Sequence, residues 1–97
     1  MDHALSEVKA VLRVSHSKLD DLYVSSINEC LADMKLKGVL DPDLSDDNVI
    51  ASVKLYCQSL HGDPKYSEAF MQRYEKKRDG LVVAEGYGWN ERKDSDE

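Results

Sequence analysis

The sequence predicts an all-α fold, a small bundle of about four helices followed by a short extended C-terminal arm. Apolar residues recur at intervals of three and four along four separate stretches of the chain, which is the spacing of helix faces. Glycine and proline fall between these stretches, around positions 38–42 and 62–64. A chain of 97 residues has the size of one domain. We therefore assign residues 1–84 to a single helical domain and residues 85–97 to a flexible arm.

A short first helix is predicted over residues 4–14. Leu5, Val8 and Leu12 lie on one face at helical spacing, while charged residues occupy the opposite face. The polar linker that follows is so short that the first two helices are expected to fold back on each other or to meet at a steep angle.

The longest helix is predicted over residues 18–37, and the shorter helices are expected to pack along it. Gly38 is expected to end this helix in the left-handed conformation. Its apolar stripe is expected to be core and comprises Leu19, Leu22, Tyr23, Ile27, Cys30, Leu31 and Met34. Replacing Leu22 or Ile27 by alanine is therefore expected to lower the free energy of unfolding by about 2–5 kcal/mol.

A third helix is predicted over residues 46–60, after a loop in which Pro42 stops any continuing helix. Asp46 or the serine before it is expected to cap its first turn. Its apolar stripe comprises Val49, Ile50, Val53, Tyr56, Cys57 and Leu60. Because Ala51 and Leu55 lie off that stripe, the helix is expected to be covered on more than one side.

A fourth helix is predicted over residues 65–79, and Gly80 is expected to end it. Residues 81–83 form a short β-capable run, and Tyr87 and Trp89 follow in a glycine-rich stretch before the charged end. No helical period buries these side chains. Residues 81–83 could fold back onto the bundle, whereas Tyr87 and Trp89 are expected to belong to an arm that becomes ordered on binding a neighbouring subunit or another protein. The candidate interface residues are Leu81, Val82, Val83, Tyr87 and Trp89.

The overall charge argues against binding to nucleic acids or anionic membranes. The formal net charge is −6 and the isoelectric point is near 5.0, so phosphate groups are repelled on average. No apolar run approaches the roughly 18 residues that span a bilayer, and the first residues do not resemble a secretory signal. The chain is expected to stay in the compartment where it is made.

The two thiols are expected to be reduced and to fill the core. Cys30 and Cys57 each lie on the apolar face of a predicted helix, and without a secretion signal a disulfide between them is disfavoured. His61 follows Cys57 by four residues, but no third group that would orient a thiol and base pair is implied. The sequence therefore predicts no catalytic residue.

The remaining polar clusters do not match known metal or cofactor motifs. The acidic loop of residues 41–48 begins like a calcium loop, but Asp46 stands where the turn glycine belongs and Ser52 where the bidentate glutamate belongs. His3, His16 and His61 are scattered and are expected at the surface. We expect no metal and no cofactor.

A basic group near the end of the fourth helix is the candidate nucleic-acid contact. Its members are Arg73, Lys76, Lys77 and Arg78. Glu75 and Asp79 interrupt it, and cations at this position also suit the negative end of the helix dipole. A helix-turn-helix formed by the third and fourth helices nevertheless remains open as an alternative.

The order of these features resembles the small head–tail connector (adaptor, or DNA-packaging) proteins of long-tailed bacteriophages. The first matches are the run SEVKAVLRV at residues 6–14, the residues Asp20-Asp21-Leu22 and the long helix that ends at Gly38. The later matches are the apolar helix of residues 53–60, the break at residues 61–63, the run FMQRY at residues 70–74 and the tail of residues 81–87. The resemblance spans about residues 5–87.

This resemblance implies a structural virion protein that is assembled in the host cytoplasm and is not an enzyme. About a dozen copies would form a homo-oligomeric ring between the portal protein and the next neck or tail-completion protein, and genome DNA would pass through the ring without specific binding. Cys30 departs from the family, which often has a small residue there, and this affects how closely the first two helices pack. The alternative is a small intracellular helical regulator or adaptor that acts by protein contacts or a helix-turn-helix.

Overall fold

The computed structural model describes residues 1–83, which form a bundle of four α-helices. The helices are α1 (Asp2–Leu12), α2 (Asp20–Leu36), α3 (Asp47–His61) and α4 (Ser67–Val83), with a 3₁₀ turn, Pro64–Tyr66, before α4. The predicted all-α bundle is confirmed. The predicted arm of residues 85–97 lies outside the described residues.

Helix α3 lies at the centre of the bundle. It packs against α1, α2 and α4, and its contact with α4 is the most extensive. The prediction that the third helix is covered on more than one side is therefore confirmed. Each of the other helices also contributes to the core, because Val8 of α1, Ile27 of α2 and Tyr74 of α4 are almost completely buried.

The ends of α2 and α3 follow from local sequence signals. Gly38, just after α2, has a φ of 108°, a conformation that side chains with a Cβ rarely adopt. The Asp46 carboxylate accepts a hydrogen bond from the backbone N–H of Asn48 at 2.8 Å and so caps α3. At the other end of α3, a Cβ on Gly62 would lie 2.6 Å from the carbonyl oxygen of Gln58. The backbone therefore favours glycine at positions 38 and 62, and a capping side chain is used at Asp46.

Helix α4 continues through Gly80, and the predicted end at this residue is wrong. Residues 81–83 are helical, so the predicted β-capable run is also wrong. Leu81 follows Tyr74 by two helical turns and therefore lies on the same, buried face as Tyr74. Burial of Leu81 and Val82 outweighs the cost of about 1 kcal/mol that glycine imposes inside a helix.

The predicted apolar stripe of α2 is wrong at its beginning. Leu19 and Leu22 are 43% and 47% exposed, whereas Tyr23 and Ile27 are buried. Consecutive side chains on a helix point about 100° apart. Because Tyr23 points into the core, the neighbouring Leu22 points toward solvent. Leu60, predicted as the last core residue of the third helix, is 46% exposed for the same reason, because the neighbouring Ser59 is the buried residue.

Candidate functional site

Two of the five candidate interface residues belong to the interior of the bundle. Leu81 and Val82 are buried within the chain itself, so the prediction that they contact a partner is wrong. Val83, the last residue of α4, is 72% exposed and remains available to a partner. Tyr87 and Trp89 lie outside the described residues, and their role stays a prediction.

The members of the basic group on α4 differ in burial. Arg78 is only 9% exposed, and its guanidinium donates to a carboxylate oxygen of Asp33 at 3.0 Å and to one of Asp79 at 3.0 Å. Arg73 and Lys76 remain exposed. Because the charge of Arg78 is neutralised inside the fold, a contact with DNA would depend on fewer free cations than the sequence suggested.

A row of polar contacts joins α2 to α3 and α4. The Glu29 carboxylate accepts a hydrogen bond from the Tyr56 hydroxyl at 2.5 Å, and one helical turn later the Asp33 carboxylate accepts one from the Tyr74 hydroxyl at 2.6 Å. The two tyrosine rings meet edge to face, in a T-shaped arrangement, with their centroids 5.0 Å apart. Burial and the neighbouring carboxylates raise the pKa of both hydroxyls above its ordinary value. These contacts therefore hold the helices together, with the tyrosine hydroxyls as donors and the two acidic side chains as acceptors.

His61 connects α3 to α2 and is half-buried, so its predicted position at the surface is wrong. Its Nε2 lies 2.7 Å from the Ser26 hydroxyl oxygen, and its ring packs against Tyr23 with the centroids 5.2 Å apart. Burial lowers the pKa of His61 below its ordinary value. A serine beside a histidine is a possible nucleophile and base, but Ser26 is only 4% exposed and its hydroxyl also contacts the carbonyl of Leu22. We interpret the pair as a structural contact.

The two thiols are free and completely buried, as the sequence predicted. Burial raises the pKa of Cys30 and of Cys57 to about 12. Since the thiolate is the reactive form of cysteine, neither side chain is suited to nucleophilic chemistry in the folded protein.

The acidic loop before α3 is used for turns and for capping. An Asp43 carboxylate oxygen accepts a hydrogen bond from the backbone N–H of Ser45 at 2.9 Å, and this bond lowers the pKa of Asp43. Asp46 caps α3 as described above. In residues 1–83 no three side chains of His, Cys, Asp or Glu come together in a way that would hold a metal ion.

A shallow groove of about 470 Å³ lies along α1. Its lining residues are Asp2, Leu5, Ser6, Lys9, Ala10 and Val14. Lys9 forms an ion pair with Asp20 at 2.8 Å, so the cation of the groove already has a counter-charge. In residues 1–83, the only charged lining residue besides Lys9 is Asp2, which lies exposed at the start of α1. A single surface carboxylate beside apolar residues does not define a ligand.

Two rows of exposed side chains run along the outer faces of α2 and α4, and the sequence did not predict them. The α2 stripe consists of Leu22, Ser25, Glu29, Ala32 and Leu36. The α4 stripe consists of Ala69, Arg73, Lys76, Gly80 and Val83, together with Tyr66 in the 3₁₀ turn just before α4. Leu36 is 82% exposed, the highest value among the large apolar side chains in residues 1–83. The signal that points to these rows is a second set of three- and four-residue spacings, offset from the core face.

Comparison of the chain with protein-family models, with curated proteins and with solved structures found no match. Among the helices in residues 1–83, none combines the length and the apolar character that crossing a bilayer requires. Any function assigned to this chain must therefore come from its residues and their arrangement.

Proposed function

We propose that this chain is a structural protein of the bacteriophage neck. Several copies form a ring between the portal protein and the next protein on the tail side, and this ring extends the channel through which the genome passes. The observation that carries the proposal is the order of sequence features over about residues 5–87, which resembles the small head–tail connector proteins. The positions of the helix ends support it, because α2 ends at Leu36, two residues before Gly38, and α3 ends at His61, within the break of residues 61–63.

The charge of the chain also supports a passive channel component. A net charge of −6 disfavours adhesion of passing DNA, and Arg78 is withdrawn from the surface into an ion pair with Asp33. The proposed location is the head–tail junction of the virion, and no catalytic step is part of the proposed role.

Mass measurement in native conditions and negative-stain electron microscopy of the full chain, alone and mixed with a purified portal protein, test the proposal. We expect ring-shaped particles of the chain itself, or a joint particle with the portal. A chain that stays monomeric in both samples would refute the proposed role. Sub-micromolar binding to duplex DNA at roughly physiological salt would instead favour a DNA-binding regulator.

The predicted arm has its own test. Deleting residues 85–97 is expected to leave the helical circular-dichroism signal and the unfolding midpoint nearly unchanged and to abolish assembly. If the shortened chain unfolds, these residues belong to the core of the monomer. If it assembles like the full chain, the arm has no docking role and the subunit contact lies on the helices.

A further inference from the structure

We infer, on the basis of the proposed ring, that the α2 stripe of one copy packs against the α4 stripe of the next copy as an antiparallel helix pair. Every member of both stripes is exposed in the single chain. The helices α2 and α4 each have 17 residues, so each offers a face about 25 Å long. The two faces therefore match in length as well as in accessibility.

The two stripes have the same residue spacing. Their members alternate by three and four positions, which is the spacing of helices that pack side by side with interlocking side chains. When the helices run antiparallel with Glu29 opposite Arg73, every other member of the α2 stripe falls opposite a member of the α4 stripe, and Val83 extends beyond the paired region. The facing pairs are Leu22 with Gly80, Ser25 with Lys76, Glu29 with Arg73, Ala32 with Ala69, and Leu36 with Tyr66.

The shapes of the facing residues are complementary. Leu22 lies opposite Gly80, where even an added Cβ would meet nothing within 4 Å. The two facing alanines, Ala32 and Ala69, allow close approach of the helix backbones. Leu36 gains an aromatic neighbour in Tyr66, which is itself 50% exposed in the single chain. One contact thus covers three of the exposed large apolar side chains, Leu22, Leu36 and Tyr66.

The charges favour this pairing over contact between identical faces. The charged member of the α2 stripe is Glu29, and those of the α4 stripe are Arg73 and Lys76. Two α2 stripes would bring carboxylates together, and two α4 stripes would bring four cations together. The antiparallel direction also aligns opposite ends of the two helix dipoles and brings Lys35 near Glu68.

The pairing joins two different surfaces and is therefore heterologous. Each copy that has used its α2 stripe still has a free α4 stripe, so further copies can add until the ring closes. An isologous contact between identical stripes would stop at two copies. The pairing thus gives the helix–helix part of the subunit contact in the proposed ring, to which docking of the arm of residues 85–97 is expected to add.

Variants with reversed charges at Glu29 and Arg73 test whether these two residues face each other between copies. Glu29→Arg and Arg73→Glu are each expected to lose assembly, while an equimolar mixture of the two variants recovers it, because alternating copies then place opposite charges in every contact. Glu75→Arg changes the charge by the same amount on an exposed position outside the stripe and is expected to assemble like the unmodified chain. Glu29→Arg also removes the acceptor of the Tyr56 hydroxyl, so the variants are compared at a temperature at which circular dichroism shows both to be folded. A mixture that does not recover assembly at that temperature overturns the pairing.

Cysteine cross-linking tests the same contact without requiring a stable ring. Ala32→Cys and Ala69→Cys, on separate copies, are expected to form a disulfide-linked heterodimer under mild oxidation, whereas each variant alone is not. The natural Cys30 and Cys57 are buried and do not compete. Ser25→Cys mixed with Ala69→Cys is the control, because these positions face each other only if the helices run parallel.

The outcomes distinguish the pairing from the proposed function. A heterodimer of the Ala32→Cys and Ala69→Cys variants supports the pairing. Its absence, or equal cross-linking by either variant alone, overturns the pairing. If that happens while the unmodified chain still forms rings, the proposed function stands with a different subunit contact. If the unmodified chain is also monomeric with and without the portal protein, both fail.

Discussion

Replacing Ile27 by alanine is expected to destabilise the bundle strongly. Ile27 is completely buried in the core between α2 and its neighbours. The substitution removes three carbon atoms, which at roughly 0.8 kcal/mol for each buried group amounts to about 2.4 kcal/mol. The cavity left behind raises the expected loss to about 3–4 kcal/mol, because a packed core collapses only partly.

Leu22→Ala is the matched control on the same helix. It removes the same number of carbon atoms, but Leu22 is 47% exposed, so only about half of the transfer free energy is lost and no closed cavity forms. The expected loss is about 1 kcal/mol. Because Leu22 belongs to the α2 stripe, this variant is also expected to weaken assembly, whereas Ile27→Ala does not change the stripe.

Urea titration of both variants, at a concentration at which the chain is monomeric, measures the difference. Dilution matters because subunit binding would itself add stability. With a slope of roughly 1.5 kcal/mol per molar urea, Ile27→Ala lowers the midpoint by about 2 M and Leu22→Ala by less than about 1 M. Equal shifts for the two variants would refute the assignment of one side chain to the core and the other to the surface.

Three further outcomes follow from the described residues. Gly80→Ala is expected to raise the free energy of unfolding by about 0.5–1 kcal/mol in urea titration, because Gly80 lies inside a helix with open space at its Cβ position. Since burial lowers the folded-state pKa of His61 below 6.5, the unfolded chain binds the proton more readily, and stability is expected to fall as the pH is lowered from about 7 to 5. His61→Gln should remove this dependence in melts at several pH values. Cys30 and Cys57 should resist alkylation at neutral pH, as measured by mass spectrometry, until denaturant is added.

Local signals were sufficient to predict where most helices begin and end. Gly38 and Gly62 stop helices because their backbone or their close neighbours exclude a side chain, and Asp46 caps α3 with its own carboxylate. Each of these requirements involves residues within four positions of each other. The linear sequence therefore contains the information that locates these helix ends.

The wrong predictions occur where tertiary packing, and not the local sequence, determines the structure. Gly80 carries a strong local stop signal, yet the burial of Leu81 against the core keeps α4 helical. Leu22 has the spacing of a core residue, but the partner helices contact the other side of α2. The bond between Asp33 and Tyr74 joins residues 41 positions apart, and no pattern in the sequence indicates that they meet.

A chain with a net charge of −6 repels its own copies at long range, so assembly requires a local surface of opposite sign. The α4 stripe supplies it, because Arg73 and Lys76 face outward with no acidic residue among their stripe neighbours. The long-range repulsion acts over a Debye length of about 30 Å at 0.01 M salt and about 8 Å at 0.15 M, whereas the ion pair at contact is less affected. Assembly measured by sedimentation is therefore expected to increase from about 0.01 to about 0.15 M salt. A decrease over this range would show that long-range attraction drives the association, and the contact would then have to involve a more strongly charged pair of surfaces than these stripes.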